Sequence, residues 1–182
     1  AFVSYDFDEN EEWKLKFSYG RRINRRSIYS LSPIVYFDDG SFVFMGNPDL
    51  LPAYTHNFEL ELKGKMPLST FFLSTFARNV TNSIFGAFRI EDDKRIRYPE
   101  NIDKELVRGV EFSTETKIND HFKIQTASSF YYEHIEGIVN DDEIDNSGYS
   151  WDVELQPVIS FKSGPKIQLQ GYYQAPSIMA QG

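Results

Sequence analysis

At 182 residues with 41% apolar content, the chain is long enough for one ordinary domain and too apolar to be disordered. A formal charge of −8 disfavours a broad nucleic-acid or anionic-lipid surface, which needs a dense field of Lys and Arg; the one basic cluster, Arg21, Arg22, Arg25 and Arg26, is local. The lack of cysteine removes disulfide frameworks and thiolate metal sites, and no apolar run of about 18 residues offers a transmembrane helix, although β-strands cross a bilayer in about 9 to 11 residues without one.

In chain order, a first strand at Phe2 to Phe7 is closed by a turn at Asp8 to Glu11, after which Trp13, Leu15, Phe17 and Tyr19 alternate with Lys14, Lys16, Ser18 and Gly20. This pattern is a β-hairpin. A long connection rich in Ser, Asp, Gly and Pro runs from about 23 to 53, and Tyr54, His56, Phe58, Leu60 and Leu62 then resume the period opposite Asn57, Glu59, Glu61 and Lys63. A short turn at Gly64 to Leu68 leads into a fourth strand over 69 to 89, where consecutive Phe71, Phe72 and Leu73 blur the alternation.

A second polar loop is expected over about 91 to 103. Val110, Phe112, Thr114, Thr116 and Ile118 follow on one parity, Asn119 and Asp120 turn the chain, and Phe122, Ile124, Thr126, Ser128, Phe130 and Tyr132 form the next face. A third loop is expected over about 137 to 149. Trp151, Val153, Leu155, Ile159 and Phe161 then oppose Asp152, Glu154, Gln156 and Ser160. Ser163, Gly164 and Pro165 close the last hairpin, and Ile167, Leu169, Gly171 and Tyr173 oppose Lys166, Gln168, Gln170 and Gln174, giving about eight strands.

The connections alternate short and long, which is how a transmembrane barrel distributes periplasmic turns and extracellular loops. The strands exceed the usual globular length of about 5 to 6 residues, and the 16% aromatic fraction gathers toward strand ends, where interfacial girdles would lie. The expected fold is therefore all-β: an antiparallel, up-and-down transmembrane barrel segment spanning 1–182, about eight strands of a larger barrel in the bacterial outer membrane. The start at Ala1 without a leader and the end at Gly182 without a terminal strand suggest a piece of something larger. A small closed structural or adhesive barrel, and a soluble β-sandwich carbohydrate-binding module, stand as alternatives.

The segments Tyr19-Gly-Arg-Arg-Ile-Asn-Arg-Arg-Ser27, Leu31-Ser-Pro-Ile-Val-Tyr-Phe37, Gly46-Asn-Pro-Asp-Leu50, Pro52 and Tyr54-Thr-His-Asn-Phe-Glu-Leu60 form a long joined pattern. Pro99-Glu-Asn101, Gly109-Val-Glu-Phe112 and Ala175 to Gly182 extend it. In these segments the chain resembles the C-terminal barrel of TonB-dependent outer-membrane receptors of Bacteroidetes type. The resemblance implies a plugged barrel of about 22 strands, with the plug and the TonB-engaging segment outside this chain. It also implies outer-membrane lipid as surroundings, a TonB complex reached through a missing N-terminal region, and an unknown small-molecule, glycan or peptide ligand. A surface lipoprotein partner is left open. Arg26 stands where such receptors often carry Pro, and Pro157 removes a ladder donor from strand seven, suggesting a bulge.

Gly46, Asn47, Pro48, Asp49 and Leu50 carry turn chemistry throughout, and a structural loop orienting the return strand accounts for them. The Arg cluster suits an anionic ligand or lumenal carboxylates, the second being the simpler job. Asp141, Glu143, Asp145 and Asn146 only faintly match a calcium loop, because the required Gly and the distal Glu are misplaced. The paired acids Glu59 with Glu61 and Asp38 with Asp39 are explained by a wet lumen and a turn, Asn79-Val-Thr81 lies inside a strand, and the three His are isolated. No catalytic set, metal site or cofactor is expected, so the chain is not read as an enzyme. The expected ligand contacts, on the three long loops, are Arg22, Arg25, Tyr36, Asp49, Arg97 and Tyr149.

Overall fold

The computed structural model describes residues 1–10, 12–139, 142–162 and 164–177. Along the chain lie β1 (Phe2–Asp6), β2 (Trp13–Asn24), a one-turn helix α1 (Ile28–Leu31), β3 (Val35–Asp38), β4 (Phe42–Met45), β5 (Ala53–Met66), β6 (Ser69–Glu91), β7 (Lys94–Lys117), β8 (Phe122–Val139), β9 (Asp142–Ser160), β10 (Lys166–Gln168) and β11 (Gly171–Gln174). All the strands belong to one sheet. Its path runs β1-β2-β5-β6-β7-β8-β9-β10, with β11 also on β9, and these neighbours are antiparallel.

The register sorts side chains by parity. One row along the hydrogen-bonding direction is Tyr5, Leu15, Leu62, Leu73, Phe112, Ser128, Val153 and Tyr173, and the next of the same parity is Val3, Phe17, Leu60, Thr75, Val110, Phe130 and Trp151. The intervening row, on the other face, is Lys16, Glu61, Ser74, Glu111, Ser129, Asp152 and Gln174. Phe17, Leu73, Phe112 and Phe130 are 46, 43, 42 and 49% exposed, while Ser74 and Val158 on the opposite parity are 6 and 2% exposed. A water-soluble sheet would invert this, since open apolar surface beyond a few hundred Å² marks a face that something covers. The sandwich alternative fails here, because no second sheet lies over these rows among the described residues. The closed eight-stranded barrel needs β1 to pair with β10 or β11, and among the described residues the sheet path makes no such pairing.

Within the alternation, local chemistry settles the ends. Asn119 Oδ1 accepts from the backbone N–H groups of His121 and Phe122, each at 2.9 Å, which makes the tight turn between β7 and β8. Asp8 does the same for Asn10, Glu12 and Trp13 in the first hairpin; Glu11, expected to end that turn, lies outside the described residues. Trp13 and Phe71 meet edge to face at 5.5 Å over Gly64, where a Cβ would stand 3.0 Å from the Trp13 ring and closer still to that of Phe71. The blurred run resolves: Phe71 and Leu73 share the apolar parity, and Phe72 turns to the opposite face beside Ser113 and Glu154.

Three expectations need correction. Pro157 causes no bulge: β9 keeps one register with β8 across it, as it does with β10 and β11. Leu169 donates to the Pro157 carbonyl at 3.1 Å, but proline has no N–H to return, so the opposite strand breaks into β10 and β11. The second and third long connections are not loops. β6 and β7 run on to a two-residue turn at Asp92 and Asp93, whose φ values of 49° and 59° are those of a type I′ hairpin, and β8 and β9 run to Val139 and from Asp142. The first long connection carries α1 and the β3–β4 hairpin.

Substituting Leu73→Arg on the apolar parity should cost about 2 to 4 kcal/mol of barrel stability, the range for a basic side chain at mid-bilayer, whereas Ala127→Arg, opposite Glu154 on the polar face, should be tolerated. Heat-modifiable gel mobility and outer-membrane abundance read the difference; equal behaviour of the two variants would contradict the assignment of faces.

Candidate functional site

The polar face is a wall of carboxylates held by hydroxyls and amides. Ser18 donates to Glu59 and Ser74 to Glu111, each at 3.4 Å, Ser129 donates to Asp152, and the side-chain amides of Gln156 and Gln170 both reach Glu154 Oε1 at 2.7 Å. Toward the end bearing the long hairpins, a cavity of about 800 Å³ is lined by Arg22, Asn57, Glu59, Arg78, Ile84 and Glu105 among others. This surface can bind and orient polar groups. Among the described residues it holds no cluster of ligands for a metal ion.

On the outer parity the apolar rows end in an aromatic row, Tyr19, Phe58, Ala77, Arg108, Tyr132 and Tyr149, beyond which come Arg21, His56, Asn79, Leu106, His134 and Ser147. A row in which Tyr19, Phe58, Tyr132 and Tyr149 supply rings, followed by one that is polar but for Leu106, is an interfacial girdle. On β8 the outward face from Phe122 to Tyr132 covers about the 9 to 11 residues a tilted strand needs to cross a bilayer. β6 has 23 residues and β7 has 24, so both project well past it.

The projecting part is a small folded structure. Asn82, at φ 53°, interrupts the regular β6–β7 pairing. β7 loses β8 above Lys104, where Lys104 Nζ meets Glu136 at 2.8 Å, and β4 takes the vacated edge in parallel, Phe42, Val43 and Phe44 opposite Arg95, Ile96 and Arg97. Val43, Ala87, Ile96, Tyr98, Ile102, Ile135 and Val139 pack into a buried cluster. Ile135 and Val139 share the lumenal parity of β8, so the β6–β7 hairpin lies against the inner side of the β8–β9 hairpin. Burial, aided by a hydrogen bond to Glu100 at 3.0 Å, pushes the Tyr98 phenol up to about 12.

A clasp ties the first long connection to this hairpin. The Asn47 backbone N–H donates to the Ser30 carbonyl at 2.8 Å, its side-chain amide to the Pro99 carbonyl at 3.1 Å, and its Oδ1 accepts from Asp49 N–H at 2.9 Å. Asn101 answers from β7: its Oδ1 accepts from Leu51 N–H at 2.8 Å while its amide donates to the Leu51 and Asn82 carbonyls at 3.1 and 2.9 Å. A Cβ at Gly46 would stand 2.6 and 2.8 Å from the carbonyls of Tyr29 and Ser30 and closer to that of Ser32, so only glycine lets α1 approach. Leu50 is buried beneath. The Gly46–Leu50 and Pro99–Asn101 motifs, fifty residues apart, are thus two halves of one latch.

Of the residues expected to meet ligand, Arg22 lines the upper lumenal cavity. Arg25 and Asp49 are exposed on the first connection, and Tyr36 lies between Tyr29 and Phe44, ring centroids 5.8 and 6.2 Å away. Arg97 sits on the exposed face of β7. Tyr149 needs correction: it shares the parity of Trp151 and stacks on Phe130 at 5.6 Å in the outer girdle, away from the lumen. Arg26, the departure from the family pattern, donates to the Ile84 carbonyl at 3.0 Å. Of the acidic group near 141, Asp141 lies outside the described residues and Asp145 pairs with His134 at 2.8 Å. Of the terminal motif, residues 178–182 lie outside the described residues, as does Ser163. Asn101 was named in the sequence only as part of Pro99-Glu-Asn101, and its part in the latch was missed; the β6–β7 hairpin was missed too, although the alternation of Arg95, Ile96, Arg97 and Tyr98 just past an Asp-Asp pair was a signal for it.

A single sheet with apolar rows outward, aromatic rows at its margin and a carboxylate-lined inner face defines the wall of an outer-membrane β-barrel. The chain belongs to the outer membrane protein beta-barrel family, whose model matches residues 1–182. Comparison with curated proteins returns no match. Among solved structures it is similar to the siderophore receptor PirA of Pseudomonas aeruginosa, at 14% identity and a TM-score of 0.62 over 92% of this chain and 36% of that one. It is also similar to a variant of the ferric enterobactin receptor of the same organism, at 13% identity and a TM-score of 0.52 over 93% of this chain and 33% of that one. The likeness is one of fold, and the chain spans about a third of the length of these receptors.

Removing the clasp should free the first connection without opening the wall. Asn101→Ala, which deletes three hydrogen bonds at about 1 kcal/mol each, and Gly46→Ala should each speed limited proteolysis within residues 25–52 while leaving heat-modifiable mobility intact; a cleavage pattern identical to the parent protein would contradict the latch.

Proposed function

We propose that the chain forms part of the wall and mouth of a TonB-dependent outer-membrane receptor that takes up a ligand. What carries this reading is the pairing of a polar, hydrated inner face with a structured mouth that rises past the girdle and is latched by the two family-like motifs. A barrel serving only to anchor or adhere has no use for a lumenal cavity opening beneath a folded rim. The protein's part in uptake is geometric and electrostatic: lipid-facing rows hold the wall, lumenal carboxylates and hydroxyls face a plug, and the rim receives ligand.

Energy would come through a TonB complex acting on an N-terminal region, and a surface lipoprotein is a further partner. Arg22, Arg25, Tyr36, Asp49 and Arg97 are the proposed contacts. The resemblance to solved siderophore receptors suggests metal complexes among the candidates, beside glycans, cobalamin and peptides.

The test is genetic. A strain lacking the full-length protein should lose growth on one nutrient from a panel of iron complexes, glycans, cobalamin and peptides, a strain lacking TonB should lose growth on the same nutrient, and the double deletion should be no worse. Growth that depends on the receptor and survives loss of TonB would overturn the transport reading.

A further inference from the structure

Above Asn82 the β6–β7 hairpin has two faces, and one is used up by the buried cluster of Ala87, Ile96 and Tyr98. The other carries Phe88, Ile90, Arg95 and Arg97, and β4 extends it with Phe42 and Phe44. The register sets these as two parallel rows, Phe42–Arg95–Ile90 and Phe44–Arg97–Phe88. Ile84, on the same parity nearer the wall, lines the upper lumenal cavity. Guanidinium groups therefore stand in a column between two apolar columns.

Both arginines lie over one ring. Arg95 lies 4.1 Å and Arg97 5.8 Å from the Phe88 ring centroid, and Arg97 covers Gly86, where a Cβ would stand 3.2 Å from its Nε. Neither has a carboxylate at ion-pair distance among the described residues. Two of the acids around this face have cationic partners of their own, Asp38 with Lys94 at 2.9 Å and Glu91 with Arg89 at 3.2 Å, Asp39 is turned to the N–H groups of Phe42 and Ser41 at 2.7 and 3.0 Å, and Asp92 and Asp93 stand at the hairpin tip. Both guanidinium groups thus keep their outer N–H edges clear of any ion pair among the described residues.

We propose that this face binds a small aromatic carboxylate, its anionic group forked by Arg95 and Arg97, which the Phe88 ring backs, and its ring laid against the exposed Phe44. Charge complementarity demands an anion, the planar forks favour a carboxylate, and the flanking rings offer nothing to an anion without an apolar body. The site rests on the reading of this rim as the mouth of an uptake barrel and narrows the chemistry of what enters.

The experiment titrates purified full-length protein in detergent with 2-naphthoate, its uncharged analogue 2-naphthalenemethanol, and inorganic phosphate, by calorimetry. Naphthoate should bind, with the other two at least about tenfold weaker. Arg95→Gln and Arg97→Gln should each weaken naphthoate by about tenfold, the scale of one charge-assisted contact, the double variant should abolish binding, and Arg97→Lys should fall between. Arg108→Gln, on the outer face, should change nothing, and heat-modifiable mobility confirms that each variant is folded. No naphthoate binding, equal binding of the uncharged analogue, equal binding of phosphate, or an unaffected double variant would overturn the proposal. Naphthoate binding without TonB-linked uptake would leave this site standing and remove the transport reading; uptake without naphthoate binding would do the reverse.

Discussion

In a bilayer core no water is available to a backbone N–H or carbonyl, so the sheet must close every hydrogen bond strand to strand, and the pleat then sends alternate side chains to opposite media. The rest of this molecule follows from that pairing. Because β2 and β5 through β9 keep a regular register through the wall, Leu62, Leu73 and Phe112 align on the outside while Glu61, Ser74 and Glu111 align on the inside. A one-residue slip in any pair would exchange these rows. The cost of such a slip is large on both sides, since it would put Glu111 in lipid and strip the lumen of its carboxylates.

Freed from the bilayer, the same strands build something different. β6 and β7 keep pairing past the girdle, but with lipid gone their outward face acquires a protein partner, the inner side of the β8–β9 hairpin, and buries Ile96, Tyr98 and Ile102 there. Asn82 marks the change of regime, and β4 enters where β8 departs. The rim is thus a small soluble-type core mounted on an inside-out wall. Its precision comes from the latch, in which the side-chain polar atoms of Asn47 and Asn101 are spent on backbone groups, most of them in segments that local pairing could not hold together.

The wall was legible in the sequence because lipid imposes a strict period of two on hydrophobicity. Trp13 to Tyr19, Phe122 to Tyr132 and Trp151 to Ile159 could be placed residue by residue, and the Asn119 turn was visible from its chemistry. Where both faces of a strand meet water or protein, that period vanishes. Residues 91–103 and 137–149 therefore looked like loops, although the Asp92–Asp93 turn and the alternation of Arg95 to Tyr98 were present. The same misreading moved Tyr149 to the mouth when its parity with Trp151 placed it in the girdle. Pro157 was read as a fault in its own strand, whereas its missing donor is felt by the neighbour. The latch was beyond any local pattern, since Asn47 and Pro99 are joined only by the fold.

The central claim is that the face bearing Leu73, Phe112 and Phe130 meets lipid and the face bearing Glu111, Ala127 and Ser129 meets an aqueous interior. The chain has no cysteine, so single cysteines at 71 through 77 on β6 and 126 through 132 on β8 can each carry a nitroxide in the reconstituted full-length protein. Collision with lipid-soluble oxygen should peak at 71, 73, 75, 77 and at 126, 128, 130, 132, and collision with a water-soluble nickel complex at the residues between. Accessibility without a period of two, or with the two phases exchanged, would contradict the account.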